Sequence, residues 1–550
     1  MSETSERPEH LLRALCDGLY VRVDAVLAIF DQDREPPDPE DIQAILRDLT
    51  PFLDARRAEI GVSLRMLMLE ESGVSHQAET MVLARSDDLT APALPPDPAF
   101  PPADAGSDTV VVPDTTPTSS RSSLVRERLE NLQEALQRAS SELAAALDGG
   151  LDDLPALAST LSNRVLDPVV QLCPDVVVGR LKDALVQHTD YDDVRLINNG
   201  GMGWVFTGVT PGGERRAIKV PRSFVAPEIL AIHERETDFL RTLEENGLNT
   251  GDWFVRFFED GLVPVGSRHF PYTVLSYVTG PRRTMTLLGE EVETDQALTL
   301  GDIIPLTAAA PPELTGGLVR DLLDGLVELH ELGVLHGDLK PGNVLIAPET
   351  AAVIPWPLSP KAIAEDLDLA AIAAAIARCR RRIVTADFGG VREMESFLLG
   401  DEVVDARTGE AIVVQTTAYS NMTGLLRHGK KAHSDRHAVA CILFELLTGR
   451  TARSSRMGGR YVTPAGQAPD RAEFLELAVE ILNDPDEDTP HTDPEVEVAR
   501  TRRIATRLDA LMRKHRRSSG RLAELRKTAT RVFGRLTGRL KNDASRGSES

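Results

Sequence analysis

Apolar positions recur first at helical and then at strand spacing along this chain, and the change of period divides it. Between 9 and 75, Leu11, Leu12, Leu15, Leu19, Val23 and Leu27 fall on one helical face, as do Ile42, Ile45, Leu46 and Leu49. From Ser122 to Leu147 a polar segment carries Leu129, Leu132, Leu136, Ala139, Leu143 and Ala146 at alternating spacings of three and four, the seam of a coiled coil. Two uses of that stripe stand open: a hairpin with a helix near 154–165, or self-association of two copies. From about 178 the pattern turns to short apolar runs, glycine-rich turns and then longer amphipathic helices, the succession of a two-lobed α+β enzyme. This predicts a helical domain over 1–88, a linker over 89–122, a second helical stretch over 123–177, the mixed domain over 178–500 and a tail over 501–550.

Composition changes this picture at two places. Pro92, Pro95, Pro96, Pro98, Pro101 and Pro102 crowd into a stretch poor in apolar residues, which predicts a disordered linker. The formal charge of −24 argues against nucleic acid or an anionic membrane as partner of the whole molecule. From Arg500 onward, however, sixteen Lys and Arg stand against four Asp and Glu, so the tail is locally basic. A solvated helix completing the preceding domain and a dock for an acidic partner, including this chain's own acidic regions, both remain open. Cys16, Cys173, Cys379 and Cys441 are too scattered for a zinc site or a disulfide framework. With no basic-then-apolar leader and no run of eighteen apolar residues, a cytoplasmic protein without a membrane span is expected.

The chemistry lies between 197 and 389. Gly200, Gly201 and Gly203 form a turn between the strand-like residues Ile197 and Val205, where backbone N–H groups can approach phosphate oxygens unobstructed. Lys219 follows in Arg216-Ala217-Ile218-Lys219-Val220, where alternation puts Ala217 and Lys219 on one face, as a nucleotide pocket needs. Such an ammonium needs a carboxylate. Glu236 lies on the inward stripe Ile232, Leu240 and Leu243 of the next helix, whereas Glu234 falls off it. An amphipathic helix expected over 318–332 leads into Val334-Leu335-His336-Gly337-Asp338-Leu339-Lys340-Pro341-Gly342-Asn343, a loop before an apolar strand. There Asp338 can accept a hydroxyl proton, Lys340 can steady a migrating phosphoryl group and Asn343 can ligate a metal ion. Asp387, in Ala386-Asp387-Phe388-Gly389, supplies a second oxygen ligand for Mg²⁺.

These pieces in this order resemble the eukaryotic-like serine/threonine protein kinases of bacterial type, over residues 190 to about 450. The resemblance implies ATP and Mg²⁺ as cofactors, with the three glycines over the phosphates and Lys219 on the α and β phosphates while paired to Glu236. It implies Asp338 as base, Asn343 and Asp387 as metal ligands, and structural positions for His336, Phe388 and Gly389. Tyr272 to Gly280 resembles the hinge, with Leu275 as gatekeeper and the backbone of Ser276 and Val278 on adenine. Lys340 implies a serine or threonine acceptor on a protein, Thr416 to Tyr419 resembles the substrate-docking loop, and Asp435 should brace the catalytic loop.

The chain departs from that pattern in several places. Asn198 replaces the first loop glycine, and Gly337 replaces the arginine that reads a phosphate on the activation loop, so activity is expected not to need phosphorylation of Thr408, Thr416 or Thr417. Asn421-Met422-Thr423 replaces an Ala-Pro-Glu segment, and its arginine partner falls near Asp488. Residues 347–382 form an insertion with an alanine-rich helix expected over Lys361–Arg382, either packed on the domain or available for regulation. Two other functions stay in view: a nucleotide-binding pseudokinase scaffold, and a small-molecule phosphotransferase, which shares His336-Gly337-Asp338 but generally lacks the Asp435 element and Lys340.

Overall fold

The computed structural model describes residues 7–27, 39–71, 121–149, 161, 165–166, 169, 174–200, 203–222, 227–249, 252–266, 268–288, 290–393, 417–419, 435–457, 460–484 and 493–517. Gly201, Thr408, Thr416, Asn421, Met422, Thr423 and Asp488, residues 89–120 of the expected linker and the tail beyond 517 lie outside them. The chain divides into two compact units: Met1–Val205 with Val220–Ala226 and Leu262–Pro271, and Phe206–Lys219 with Pro227–Gly261 and Tyr272–Ser550.

The first unit contains α1 (Arg7–Leu27), α2 (Pro39–Glu71), α3 (Arg121–Gly149) and α4 (Pro174–His188). The leucine stripe of α3 is used inside the chain: Leu129, Leu132, Leu136, Ala139 and Leu143 are buried along α2, whose Leu46, Leu49 and Leu53 are buried too. Ser140 Oγ donates to Asp54 Oδ1 at 3.0 Å across that seam. Among the described residues α2 covers the stripe; most of the expected 154–165 helix lies outside them. The boundary expected at 178 falls inside α4, which packs against strand β1 (Asp192–Asn199).

After β1 come β2 at Gly203–Val209, β3 at Arg215–Pro221, β4 at Phe257–Val265 and β5 at Arg268–Ser276. In the second unit β3 and β5 run antiparallel, with Ala217 opposite Leu275 and Lys219 opposite Thr273. Helix α5 (Pro227–Glu245) follows β3. A hairpin of β6 (Thr279–Leu287) and β7 (Glu290–Gln296), for which the apolar pattern gives no expectation, follows β5.

The helical core of this unit is built on α6 (Ile304–Ala309) and α7 (Pro312–Glu331). Helix α7 begins earlier than the apolar stripe suggested, because Pro312 is preset for a first helical position and Glu313 favours the positive helix end. It buries Leu314, Leu318, Leu322, Leu326 and Leu329 on one face and ends before Gly333. Short strands β8 (Val334–Leu335), β9 (Val344–Ile346), β10 (Ile383–Thr385) and β11 (Arg392–Glu393) frame the loops that carry Asp338 and Asp387, β10 pairing with β9 and β11 with β8.

Residues 347–382 leave β9 and return to β10, closed at the base by Ala347 N–H to Arg382 C=O. They contain α8 (Pro348–Ala351), a helical turn over Ala362–Asp366 and α9 (Leu369–Ile376), not one helix over Lys361–Arg382. The break has a local cause: Leu367 is extended, and Asp368 caps α9 by accepting from the Ala371 N–H at 3.0 Å. Ala351, Ile354 and Ile376 join the core, so this excursion is packed.

Helix α10 (Asp435–Thr448) is buried on every side from Asp435 to Leu447, the mark of a core helix. It meets α11 (Pro469–Leu482), which follows the short pair β12 (Arg456–Met457) and β13 (Arg460–Tyr461). Helix α12, residues 494–517, runs straight through the boundary expected at 500, and its Ile504, Ala505, Leu508 and Met512 sit in the same core. Its basic side chains meet this unit's own acids: Arg507 donates twice to Glu480 at 2.7 and 2.5 Å, Lys514 pairs with Glu473 at 2.7 Å, and Arg502 pairs with Glu331. These are surface pairs of small energetic value. The apolar face fixes the helix.

Candidate active site

Strand alternation sends Lys219 off β3, and the stripe of α5 brings Glu236 to it. Lys219 Nζ donates to both oxygens of Glu236, at 2.8 and 2.6 Å, and to Asp387 Oδ1 at 2.8 Å. The Glu236 side chain is 4% exposed, so its charge is tolerable only because it is paired. The Phe388 N–H also donates to Glu236 Oε1, at 3.0 Å. The Phe388 ring packs on Phe239, Phe254 and His336 with centroids 5.3, 5.6 and 4.8 Å away, which anchors the chain just after Asp387. Burial opposes charge on Lys219, yet Asp387 and Glu236 together lift its pKa above the ordinary value. Burial pushes the Glu236 carboxyl up against the pull of Lys219. Burial would also raise Asp387, but the ammonium outweighs it and holds that carboxyl at about 2.

Behind Lys219 lies a polar chain that sequence reasoning missed. Thr237 Oγ1 and Thr273 Oγ1 are 2.5 Å apart, and Thr273 Oγ1 is 3.2 Å from His233 Nε2, which ties α5 to β5 beside Glu236. Burial, assisted by Lys219, lowers His233 from 6.5 to about 3, so it is neutral near pH 7. A histidine depressed in the folded chain binds its proton more readily when unfolded. Its stabilising share is complete above about pH 6.5 and falls as pH drops toward 3. Chemical denaturation at stepped pH should therefore show stability declining between pH 6.5 and 4, with a shallower decline in His233→Gln; parallel curves would refute the assignment. Asp387 adds to the loss only below the ordinary carboxylate range, toward pH 2.

The loop carrying Asp338 is held from beneath. Asp435 Oδ2 accepts from the His336 N–H at 2.8 Å and Oδ1 from the Gly337 N–H at 3.1 Å. His330 Nε2 lies 3.1 Å from Asp435 Oδ2, and its Nδ1 lies 3.1 Å from Thr501 Oγ1 on α12. His330 and Thr501 gave no sequence signal, because their partners are 105 and 171 residues away. Arg436 Nη1 donates to Glu497 Oε2 at 2.5 Å, with both side chains almost fully buried, so α12 has a second polar anchor on α10. Replacing Thr501 with Val keeps the shape but leaves His330 Nδ1 unpaired in a buried place. A loss of about 1 to 2 kcal/mol is expected, measured by chemical denaturation.

Above the brace, Lys340 Nζ donates to Asp338 Oδ2 at 2.7 Å, and Asn343 Nδ2 donates to Asp338 O at 2.9 Å and reaches Oδ2 at 3.3 Å. The Ala386 N–H donates to Asn343 O at 2.9 Å, so Asn343 and Asp387 sit at the adjacent ends of β9 and β10. Asp387 has φ 61°, a left-handed conformation costly for a residue with a Cβ and typical of functional sites. Asn343 spends its amide nitrogen on Asp338, and Asp387 spends Oδ1 on Lys219. Among the described residues Asn343 Oδ1 and Asp387 Oδ2 have no partner. Two hard oxygens, one on a carboxylate 37% exposed, suit Mg²⁺ shared with phosphates.

The residues expected to form the hinge are partly committed within the protein. The Ser276 N–H donates to Arg256 O at 2.8 Å, and Val278 O accepts from the Ala297 N–H at 3.0 Å. The Val278 N–H has no partner among the described residues, which suits an acceptor nitrogen of adenine. Tyr419, at the end of the Thr417–Tyr419 turn, donates its hydroxyl to Glu445 of α10 at 2.5 Å. The glycine turn belongs to the first unit. Its Gly200 N–H closes on Gly203 O at 3.0 Å, and a Cβ on Gly203 would lie 2.6 Å from Val220 O, so that glycine is required by the neighbouring strand. Among the described residues a Cβ on Gly200 would meet only Gly203 O, at 3.5 Å. Ile197 is buried and Val205 half-buried.

No family profile matches the chain. Over 264 residues, 46% of its length, it is 24% identical to a probable serine/threonine-protein kinase PknB of Bifidobacterium longum, covering 30% of that protein. Over 256 residues, also 46% of its length, it is 27% identical to the serine/threonine-protein kinase PksC of Streptomyces coelicolor, covering 36% of it. It is 24% identical over 235 residues, 42% of its length, to the serine/threonine-protein kinase PknB of Mycobacterium leprae, covering 28%. Over that part the chain is similar to bacterial serine/threonine-protein kinases. The match spans about a third of those kinases' own length. Among the described residues no helix is long and apolar enough to cross a membrane.

Proposed function

We propose that this chain is a protein serine/threonine kinase that transfers the γ-phosphoryl group of ATP to a hydroxyl of a protein. The observation that carries this reading is the convergence, within one unit, of the Lys219, Glu236 and Asp387 cluster with the Asp338, Lys340 and Asn343 cluster. Lys219, fixed by Glu236, is set to hold phosphate oxygens, and Asp338 to orient the acceptor hydroxyl and take its proton. As the acceptor oxygen bonds to the γ-phosphorus, the bond from phosphorus to the β,γ-bridging oxygen breaks and ADP leaves. Lys340 lies beside Asp338, where it can balance the charge on the moving phosphoryl group. Asn343 and Asp387 would hold Mg²⁺, which when bound offsets phosphate charge.

Within the second unit, Ala217, Ser276 and Val278 are assigned to the adenosine end. A protein acceptor is favoured by Lys340 and by the buried Asp435 brace under the loop. The test is incubation of purified chain with labelled ATP and Mg²⁺, alone, with generic protein acceptors and with small hydroxylated acceptors. Label on protein supports the reading. Transfer only to small acceptors would convert it to a small-molecule phosphotransferase, and nucleotide binding without any transfer would convert it to a scaffold.

A further inference from the structure

The β6–β7 hairpin leaves the chain directly after the hinge and comes back to it. Its last strand brings Asp295 to Tyr277, whose hydroxyl donates to Asp295 Oδ1 at 2.7 Å. Arg215 of β3 donates to both oxygens of the same carboxylate at 2.5 Å, and its guanidinium lies 5.7 Å from the centre of the Tyr277 ring. One residue past the hairpin, the Ala297 N–H takes the Val278 carbonyl. The base of the hairpin is tight: a Cβ on Gly280 would lie 2.6 Å from Gln296 O. Farther along, Arg283 pairs with Asp302 at 3.3 Å and donates to Ala297 O at 3.2 Å, and its guanidinium lies 5.9 Å from the Trp356 ring of the 347–382 excursion. The hairpin is thus fastened on three sides.

We infer that this hairpin is a hinge clamp in which Asp295, acting through Tyr277, is a positioning residue for adenine recognition at Val278. The inference rests on the nucleotide-binding reading above. The physical case is preorganisation. A hinge peptide that must be ordered on binding subtracts that ordering from affinity, whereas one held by a side-chain network and a backbone bond does not. Arg215 and Asp295 are partly exposed, at 46% and 29%, so their pair alone is worth little. Its use is orientation: it fixes the carboxylate that fixes the tyrosine. Tyr277 also has its phenol held protonated, by burial and by Asp295, as a donor must be.

Calorimetric titration of the full chain with Mg-ADP, adenosine and tripolyphosphate tests this. Asp295→Asn and Tyr277→Phe are each expected to weaken ADP and adenosine by about 5-fold, the scale of one hydrogen bond, and to leave tripolyphosphate unchanged. The double variant should bind no more weakly than either single one, since both break one link. Tyr277→Phe removes only an oxygen, which keeps the test usable if Asp295→Asn folds poorly. Unchanged ADP affinity in a folded variant overturns the clamp, as does equal weakening of tripolyphosphate. A wild-type chain that binds neither ADP nor adenosine instead overturns the nucleotide reading, and the clamp with it.

Discussion

Replacing Asp338 with Asn is expected to lower phosphoryl transfer by about 10³-fold, the middle of the range for losing a positioned general base. The expectation follows from the side chain's surroundings. Asp338 is 5% exposed, and its Oδ2 faces two donors, the Lys340 ammonium at 2.7 Å and the Asn343 amide. The asparagine can keep one oxygen toward Lys340, so the loop retains its shape, while the carboxylate that would take the acceptor's proton is gone. Lys219, Glu236 and Asp387 are untouched, so ADP affinity should stay within about 2-fold of wild type, below the scale of one lost hydrogen bond. Single-turnover transfer from labelled ATP, with ADP titration alongside, reads both quantities. Equal transfer by wild type and variant would remove Asp338 from the chemistry. A parallel loss of ADP affinity would make it a structural residue of the nucleotide site.

The residues of that experiment were legible in the sequence to different degrees. Lys219, Asp338, Asn343 and Asp387 stand in short motifs whose spacing alone brought them out, and the structure gathers them. Glu236 was found by a physical argument, a carboxylate on a buried helical face needing a cation, and Lys219 is that cation. What stayed hidden has a common cause. Thr501 with His330, Arg436 with Glu497 and Thr273 with His233 are buried polar pairs between distant elements, and periodicity carries no information about such a partner. The β6–β7 hairpin was hidden differently: Thr284, Thr286, Glu291 and Glu293 are exposed, so little apolar alternation marks it as sheet. The stripe of α3 was visible but its mate was not, because a seam residue reports that something covers it and not what. The alanine-rich run over 361–382 has high helix propensity throughout, yet the cap at Asp368 divided it.

Gly337 is where sequence and structure together give the second large effect, since substituting Ala there is expected to cost about 3 to 5 kcal/mol and most of the activity. Two independent strains add. The residue sits at φ 82°, a left-handed conformation that disfavours any Cβ, and that Cβ would stand 1.8 Å from Gly390 O. Neither backbone has room to give. Gly337 N–H is bonded to the buried Asp435, and a Cβ on Gly390 would itself come within 2.8 Å of the Asp338 nitrogen. The two loops that carry Asp338 and Asp387 therefore pass at a distance only paired glycines permit. The absent arginine is thus more than a missing phosphate reader, because this backbone has no place for its Cβ. Gly337→Arg should accordingly fail to create a phosphate-responsive enzyme and should be as unstable as Gly337→Ala, whereas Gly342→Ala, with open space around its Cβ, should be tolerated. Denaturant midpoints for the three variants decide it. If Gly337→Ala unfolds within about 1 kcal/mol of wild type and still transfers phosphate, a change that small leaves no room for the clash, and the close passage of the two loops does not exist in solution.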